Sequence, residues 1–185
     1  VHDYYAHRHL SHIYPVFPGT EIEDNERYDL LPTFKRAVDM RQLGHMTGWS
    51  LAHMAAIYAR LKDGEKVFTS FNMLAKVCLL ENFYTLHNDY RDMGITTVDM
   101  GTAVLAPVQL DALLGTVNEV QEMLVYVSPK TIKILPACPS KFAKGSARLS
   151  FFDGTINLQW DLEKRFCKAE FQAIRDTSFR MELPF

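Results

Sequence analysis

The feature of this sequence that most constrains its fold is a change of periodicity near residue 120. Before that point apolar residues recur every three to four positions, and beyond it they fall in short β-rich runs separated by turn residues. The first pattern predicts amphipathic helices and the second predicts strands. We therefore expect an α+β fold, with helices in residues 1–120 and a small antiparallel β domain in residues 121–185.

Local signals place several helices in the first part. Pro32 fits a first helical turn, where a missing N–H costs little, and Thr47 can cap the helix that follows it. Gly64 suits a left-handed position after a helix, and Pro107 is expected to kink the last helix. Helices are predicted over 29–42, 48–61, 65–80 and 102–114, with a long loop over 81–101.

The second part carries strand and turn signals. Asp153-Gly154 lies between two alternating runs and is a strong hairpin signal. Strands are predicted over 122–127, 131–135, 147–152, 155–160, 166–174 and 178–183. These strands are expected to form one antiparallel sheet against the helices.

Composition narrows the class of function. The chain has 185 residues, 48% of them hydrophobic, and a formal net charge of -2. Without a basic stripe, nucleic acid is not an expected partner, and no run approaches the roughly 20 apolar residues that span a bilayer. The three cysteines have no metal or disulfide spacing. The chain opens without Met or a signal-like segment and is interpreted as a piece of a longer protein, so its compartment stays open.

The densest polar cluster is His-Arg-His-Leu-Ser-His at residues 7–12. Three interpretations compete: a metal site using His9 and His12, a solvated loop, and a polar surface for sugar hydroxyls. A metal site would need a third converging ligand, which the sequence does not offer. The planar fork of Arg8 and the imidazole of His9 supply directional hydrogen bonds, which sugar hydroxyls need.

Two further residues have both a structural and a functional interpretation. Asp99 ends the long loop before a predicted helix, so it is either a helix N-cap or a carboxylate that can deprotonate a water. Trp49 shares the apolar side of its helix, which favours packing in the core, although its ring could also stack on a sugar. No phosphate-binding glycine loop, nucleophile elbow or dinucleotide fingerprint is present.

Five blocks stand in a fixed order along the chain: residues 7–14 with Phe-Pro-Gly at 17–19, Thr-Gly-Trp-Ser-Leu-Ala at 47–52, Tyr-Ala-Arg-Leu-Lys-Asp-Gly at 58–64, Val-Asp at 98–99, and Ile-Lys-Ile-Leu-Pro-Ala-Cys-Pro at 132–139. Together they make the chain resemble glycoside hydrolase family 95, whose members are α-L-fucosidase-like. The first block is the most specific and is similar to the family's His-Arg-His-x-Ser-His-Leu-Tyr…Phe-Pro-Gly segment, whereas Val-Asp stands where the family has Phe-Gln-Ile-Asp.

The resemblance implies the last helices of an (α/α)6 toroid followed by a C-terminal β domain. It implies inverting hydrolysis of terminal α-L-fucosyl bonds, in which an acid protonates the leaving oxygen and a base activates water on the opposite face. The family's acid, a Glu, would lie before Val1, so the isolated chain is expected to be inactive. The family's base maps onto Asp99, and its sugar-holding residues map onto Arg8 and His9, with Trp49 beside them.

The chain departs from the family pattern around Asp99. Thr97 stands where the family has Gln, Gly101 where it has Asn, and Met93 where it has His. Other functions therefore stay open: an α-L-galactosidase-like activity, a non-catalytic carbohydrate-binding or structural remnant, and an interaction module that uses a β edge. A carbohydrate is the expected partner, with no metal or cofactor, and association with other helices of the toroid or with a second copy is expected.

Overall fold

The computed structural model describes residues 4–41, 46–91, 93–95 and 106–185. Helices come first and strands follow, so the predicted α+β class is confirmed. The helices are α1 (Glu21–Asp24), α2 (Leu31–Asp39), α3 (Gly48–Arg60), α4 (Gly64–Val77) and α5 (Leu110–Leu124). The strands are β1 (Val125–Val127), β2 (Thr131–Ile134), β3 (Lys144–Phe151), β4 (Gly154–Asp161), β5 (Phe166–Ala173) and β6 (Arg180–Glu182).

Helix α3 is the central helix of the helical part. It begins where the sequence predicts, because the Thr47 side chain accepts the Ser50 N–H at 3.4 Å and so caps the first turn. Leu51, Ala55 and Ile57 on this helix are completely buried. Since both α4 and α5 pack against it, α3 is buried on most of its circumference.

Helices α3 and α5 run side by side in the same direction. A Cβ on Gly115 would lie only 3.0 Å from the Cβ of Ala52, so small residues allow close approach near the start of both helices. Near the other end Arg60 binds Glu122 with two hydrogen bonds of 2.5 and 2.9 Å. The two helices can be parallel because α4, which lies between them in the sequence, returns the chain to the end where α3 begins. Both N-termini therefore lie at the same end.

Helix α5 differs from its predicted position. The prediction placed it over 102–114, whereas it begins at Leu110 and continues to Leu124. Pro107 precedes the helix, and its carbonyl accepts the His87 N–H at 2.8 Å in an extended segment. Proline disfavours helical geometry in the residue before it, so the chain stays extended there instead of forming a kinked helix. Residues 102–105 lie outside the described part of the chain.

The turn between α3 and α4 also differs in detail. Lys62 has the left-handed backbone (φ 59°), whereas the prediction gave that role to Gly64. Gly64 instead begins α4 against the β part: a Cβ there would lie 2.5 Å from the Ala137 carbonyl oxygen. A glycine is needed at this position because of close backbone approach rather than because of its torsion.

The β part forms two three-stranded sheets rather than one antiparallel sheet. Strands β3, β4 and β5 make an antiparallel meander around the predicted Asp153-Gly154 turn. In the other sheet β1 and β2 are antiparallel, but β6 joins β2 in parallel, which corrects the expectation of a purely antiparallel domain. The segment after β5 is held by Asp153, which binds Arg175 and Thr177. Strand β6 therefore begins beside the start of β2, where the Arg180 N–H donates to the Lys130 carbonyl at 2.8 Å.

One hydrophobic core connects the helical and β parts. Leu51 and Leu74 from the helices and Ile132, Ile156 and Leu158 from the strands belong to the same buried cluster. Among the helices in the described ranges, none is both long enough and apolar enough to cross a membrane.

Candidate functional site

A cleft of about 320 Å³ opens between α3 and α5 at the end where both helices begin. We call it the α3–α5 cleft. Its walls combine aromatic, small and polar side chains: Phe17, Trp49, Ala52, His53, Ala56, Asp111, Leu114, Gly115 and Asn118. A mostly apolar cleft with a few converging polar groups is the usual form of a small-ligand site.

Trp49 forms the aromatic wall of this cleft and is half-buried. Its backbone N–H donates to Gln109 Oε1 at 2.8 Å, which connects the first turn of α3 to the residue that precedes α5. Gly48 allows this contact, because a Cβ there would lie 2.6 Å from the Leu86 carbonyl oxygen and 2.9 Å from Gln109 Oε1. The indole is thereby fixed at the cleft, with part of its surface left open.

His53 lies one helical turn beyond Trp49 and stacks on it. The ring centroids are 5.3 Å apart and the planes differ by 20°. Nε2 of His53 donates to the Phe17 carbonyl at 3.4 Å. Burial lowers the pKa of His53, the Phe17 carbonyl partly opposes this shift, and nearby His9 adds to it. The imidazole is therefore neutral near pH 7 and can accept a hydrogen bond at Nδ1. Sequence reasoning missed this residue, although its i, i+4 spacing from Trp49 was the available signal.

Arg8 and His9 come from the loop before the cleft. His9 is exposed, its N–H donates to His7 Nδ1 at 3.1 Å, and the two rings meet edge to face at 4.9 Å. Partial burial, followed by the charges of Arg8 and His7, lowers the pKa of His9. Because His9 also acts electrostatically on His53, the structure brings the predicted His9 and Trp49 to the same region. Arg8, the chain neighbour of His9, is half-buried.

One histidine of the cluster has a cationic neighbour. His12 Nε2 lies 2.7 Å from Arg41 Nη2, a cationic neighbour that competes with any metal for this nitrogen. Within the described ranges no group of three or more His, Cys, Asp or Glu side chains converges as metal ligands would.

Asp99, the predicted base, lies outside the described residues. Another carboxylate occupies the cleft itself: Asp111 is exposed in the first turn of α5, and its Oδ1 accepts the Ala112 N–H at 2.9 Å. Because α3 and α5 are parallel, the positive ends of both helix dipoles lie at this end of the cleft, where they favour a negatively charged side chain. An ionised carboxylate in such a position can accept a proton from a bound water.

Comparison with known proteins identifies the family of this chain. The family model of the glycosyl hydrolase family 95 catalytic domain matches residues 2–124. The chain belongs to glycoside hydrolase family 95. It is 31% identical over 157 residues to Alpha-L-fucosidase 2 of Arabidopsis thaliana, covering 83% of this chain and 18% of that protein. It is 26% identical over 181 residues to Probable alpha-fucosidase A of Aspergillus oryzae, covering 88% of this chain and 24% of that protein. The chain thus spans less than a quarter of the length of either relative.

The family 95 pattern has a second match that sequence reasoning missed. Val108-Gln109-Leu110-Asp111 reproduces the spacing of the family's Phe-Gln-Ile-Asp, including the Gln two residues before the Asp. The pair Val98-Asp99 lacks that Gln, because residue 97 is Thr. The signal was therefore present in the amino-acid sequence, and the parallel packing of α3 and α5 explains why Asp111 lies at the cleft.

Proposed function

We propose that this chain forms part of the catalytic domain of an inverting glycoside hydrolase that cleaves terminal α-L-fucosyl linkages. Membership of family 95 and the names of both relatives support a carbohydrate substrate. The observation that carries the proposal is the carboxylate of Asp111 beside Trp49 and His53 in one cleft. The general acid, a Glu, is supplied by residues outside this chain.

Each side chain of the cleft has a role that its chemistry suits. Asp111 accepts a proton from the water that attacks the anomeric carbon, while the acid protonates the leaving oxygen on the opposite face. The open face of Trp49 packs on the apolar face of the sugar. Nδ1 of His53, with Arg8 and His9 from the loop, forms hydrogen bonds with the sugar hydroxyls.

We also propose that α3, α4 and α5 are consecutive helices of an (α/α)6 toroid, with residues 1–120 in the catalytic domain and 121–185 in the β domain. In such a toroid successive inner helices run parallel because an outer helix returns the chain, as α4 does here. An exposed apolar stripe on α5 supports the proposal that further helices pack alongside it. Leu110, Leu114 and Val117 follow one helical face and are 59%, 69% and 68% exposed.

The decisive experiment compares two aspartates in the full-length protein. Asp111→Asn is expected to lower kcat on an aryl α-L-fucoside by about 10²–10⁴-fold, because a positioned base contributes that much to the rate. Asp99→Asn, the matched control, is expected to change kcat far less. The anomer formed first, followed by NMR, is expected to be the inverted one.

Other results would change the assignment in defined ways. A large loss in Asp99→Asn with near-normal turnover in Asp111→Asn would return the base role to Asp99. Fucose binding without turnover in the unmodified protein would favour the non-catalytic remnant. Faster turnover of an α-L-galactoside than of the fucoside would replace the substrate class.

A further inference from the structure

The outward face of the sheet formed by β3, β4 and β5 is polar and exposed. Side chains alternate along each strand, and the inward ones, such as Leu149, Ile156 and Phe171, pack on the hydrophobic core. The outward ones are exposed even in the middle of the central strand, where Asn157 and Gln159 lie. We call this surface, together with Lys164 in the turn after β4, the β3–β5 face.

The β3–β5 face carries more positive than negative charge, although the whole chain has a formal net charge of -2. Its two carboxylates belong to Asp161 and Glu170, and its four cations are Lys144, Arg148, Lys164 and Lys168. A local surplus of cations attracts anions over roughly one Debye length, about 8 Å at physiological salt. The face is therefore complementary to an anionic partner.

Three of these cations have donors available to a ligand. Lys144 Nζ and Lys164 Nζ lie 3.9 and 3.8 Å from Asp161 Oδ2, beyond hydrogen-bond reach, and their side chains are 76% and 77% exposed. Arg148 is exposed and has no carboxylate partner among the described residues. Exposed ion pairs contribute little, so an incoming anion can take these donors without breaking a strong contact.

A shallow cleft of about 570 Å³ lies at the end of the face where Lys144 and Lys164 meet. Ser146 and Gln159 line it with an exposed hydroxyl and an exposed amide, and Phe166 adds an aromatic ring that is 47% exposed. Hydroxyl and amide side chains can bind sugar hydroxyls, and an aromatic ring can pack on the apolar face of a sugar. The cleft thus combines cations with groups that suit a saccharide.

The spacing of the cations favours a polymer with separated carboxylates. Arg148 is four residues along β3 from Lys144, which is about 13 Å in a strand. Its guanidinium fork pairs with a carboxylate through two parallel hydrogen bonds. A nucleic acid, which is charged at every unit, would also meet the carboxylates of Asp161 and Glu170. A polysaccharide with occasional acidic units avoids them and places neutral units between the cations.

We propose that the β3–β5 face is a docking surface for an acidic polysaccharide whose carboxylates come from uronic acid units. The proposal rests on the proposed function only in that the partner is a carbohydrate. The residues of this face differ from those that line the α3–α5 cleft, so polymer binding here does not require turnover there.

The test compares two polymers that differ in charge alone. Binding of the full-length protein to polygalacturonate and to its methyl-esterified form is measured by affinity electrophoresis at low salt. We expect polygalacturonate to bind about tenfold more tightly, with the difference lost at high salt. The triple variant Lys144→Gln/Arg148→Gln/Lys164→Gln is expected to bind polygalacturonate about tenfold more weakly, because three modest exposed contacts are lost together.

A charge-matched control makes the result specific to this face. Arg36→Gln/Lys76→Gln/Lys130→Gln removes three exposed cations from other parts of the surface, and its affinity for polygalacturonate is expected to stay unchanged. Turnover of an aryl α-L-fucoside is expected to stay unchanged in both triple variants. Melting curves establish that both variants fold, and if the first does not, the comparison of the two polymers decides.

Several outcomes would overturn the proposal. They are absence of polygalacturonate binding, equal binding of both polymers, equal weakening by the two triple variants, and equally tight binding of polyglutamate, which would make the face a general anion-binding surface. Binding of polygalacturonate by a protein that does not hydrolyse fucosides would refute the proposed function and support the docking surface, so the two proposals fail separately.

Discussion

The two ends of helix α3 are held in different ways. At its start, Trp49 and His53 face an open cleft, and the neighbouring carboxylate of Asp111 is exposed. At its end, Arg60 is bound by Glu122, with side chains only 15% and 13% exposed. The open end leaves polar groups exposed at the cleft, whereas the closed end pairs its polar groups within the protein. The same helix thus has one end that borders an open cleft and one end that is anchored by an ion pair.

The largest expected effect on stability is at the closed end. Arg60→Met leaves Glu122 largely buried without its partner and removes the cation from the Tyr126 ring. Breaking one half of a buried ion pair costs about 3–5 kcal/mol of unfolding free energy. Denaturant unfolding of the full-length protein measures this loss.

The double variant Arg60→Met/Glu122→Leu serves as the internal control for this ion pair. It is expected to recover much of the stability, since an apolar pair can replace a buried ion pair. Arg36→Met, at an exposed position on α2, is expected to change little. A small loss in Arg60→Met would mean that both ends of α3 are held equally weakly, and the contrast would disappear.

Local features of both ends could be predicted from the sequence. Thr47 caps α3 as expected, because a cap depends only on residues within one turn. Pro32 lies in the first turn of α2, and the Asp153-Gly154 turn joins β3 to β4. These features follow from backbone chemistry that neighbouring residues determine.

Features that depend on distant packing could not be predicted in the same way. His53 and Asp111 meet only because α3 and α5 pack in parallel, which no local signal encodes. The parallel pairing of β6 with β2 depends on how Asp153 holds the segment after β5. The roles of Arg8, His9, Trp49 and Asp99 stay predictions, and the Asp99→Asn variant tests the last of them.

Glu119, on the neighbouring helix α5, is a buried acid whose ionisation destabilises the folded state. It is 1% exposed, and neither carboxyl oxygen has a hydrogen-bond partner within the described residues. Burial raises its pKa from 4.5 to about 9. Folding therefore takes up a proton between these two values, and stability falls as pH rises through that window. At pH 7 the cost is about 3 kcal/mol.

Glu119→Gln tests this cost directly. The variant needs no proton to fold, so we expect it to be more stable at pH 7 by up to about 3 kcal/mol, with little difference below pH 4.5. Urea unfolding across pH 4–9 gives the slope. Glu163→Gln, at an exposed position, should leave the slope unchanged. A slope that persists in Glu119→Gln would assign the pH dependence to other groups.

The smallest effect is expected at the open end, where the Thr47 side chain caps the first turn of α3. Thr47→Ala removes the oxygen that accepts the Ser50 N–H and that lies 3.0 Å from Ser50 Oγ. Loss of a helix cap costs about 1 kcal/mol, and Thr47→Ser should retain most of it. Because this turn carries Trp49, fucoside KM should rise in Thr47→Ala together with the small loss of stability. If Thr47→Ala lowers the unfolding free energy as much as Arg60→Met does, both ends of α3 are anchored equally firmly. Weaker anchoring of the start of α3 would then not explain why the cleft is open.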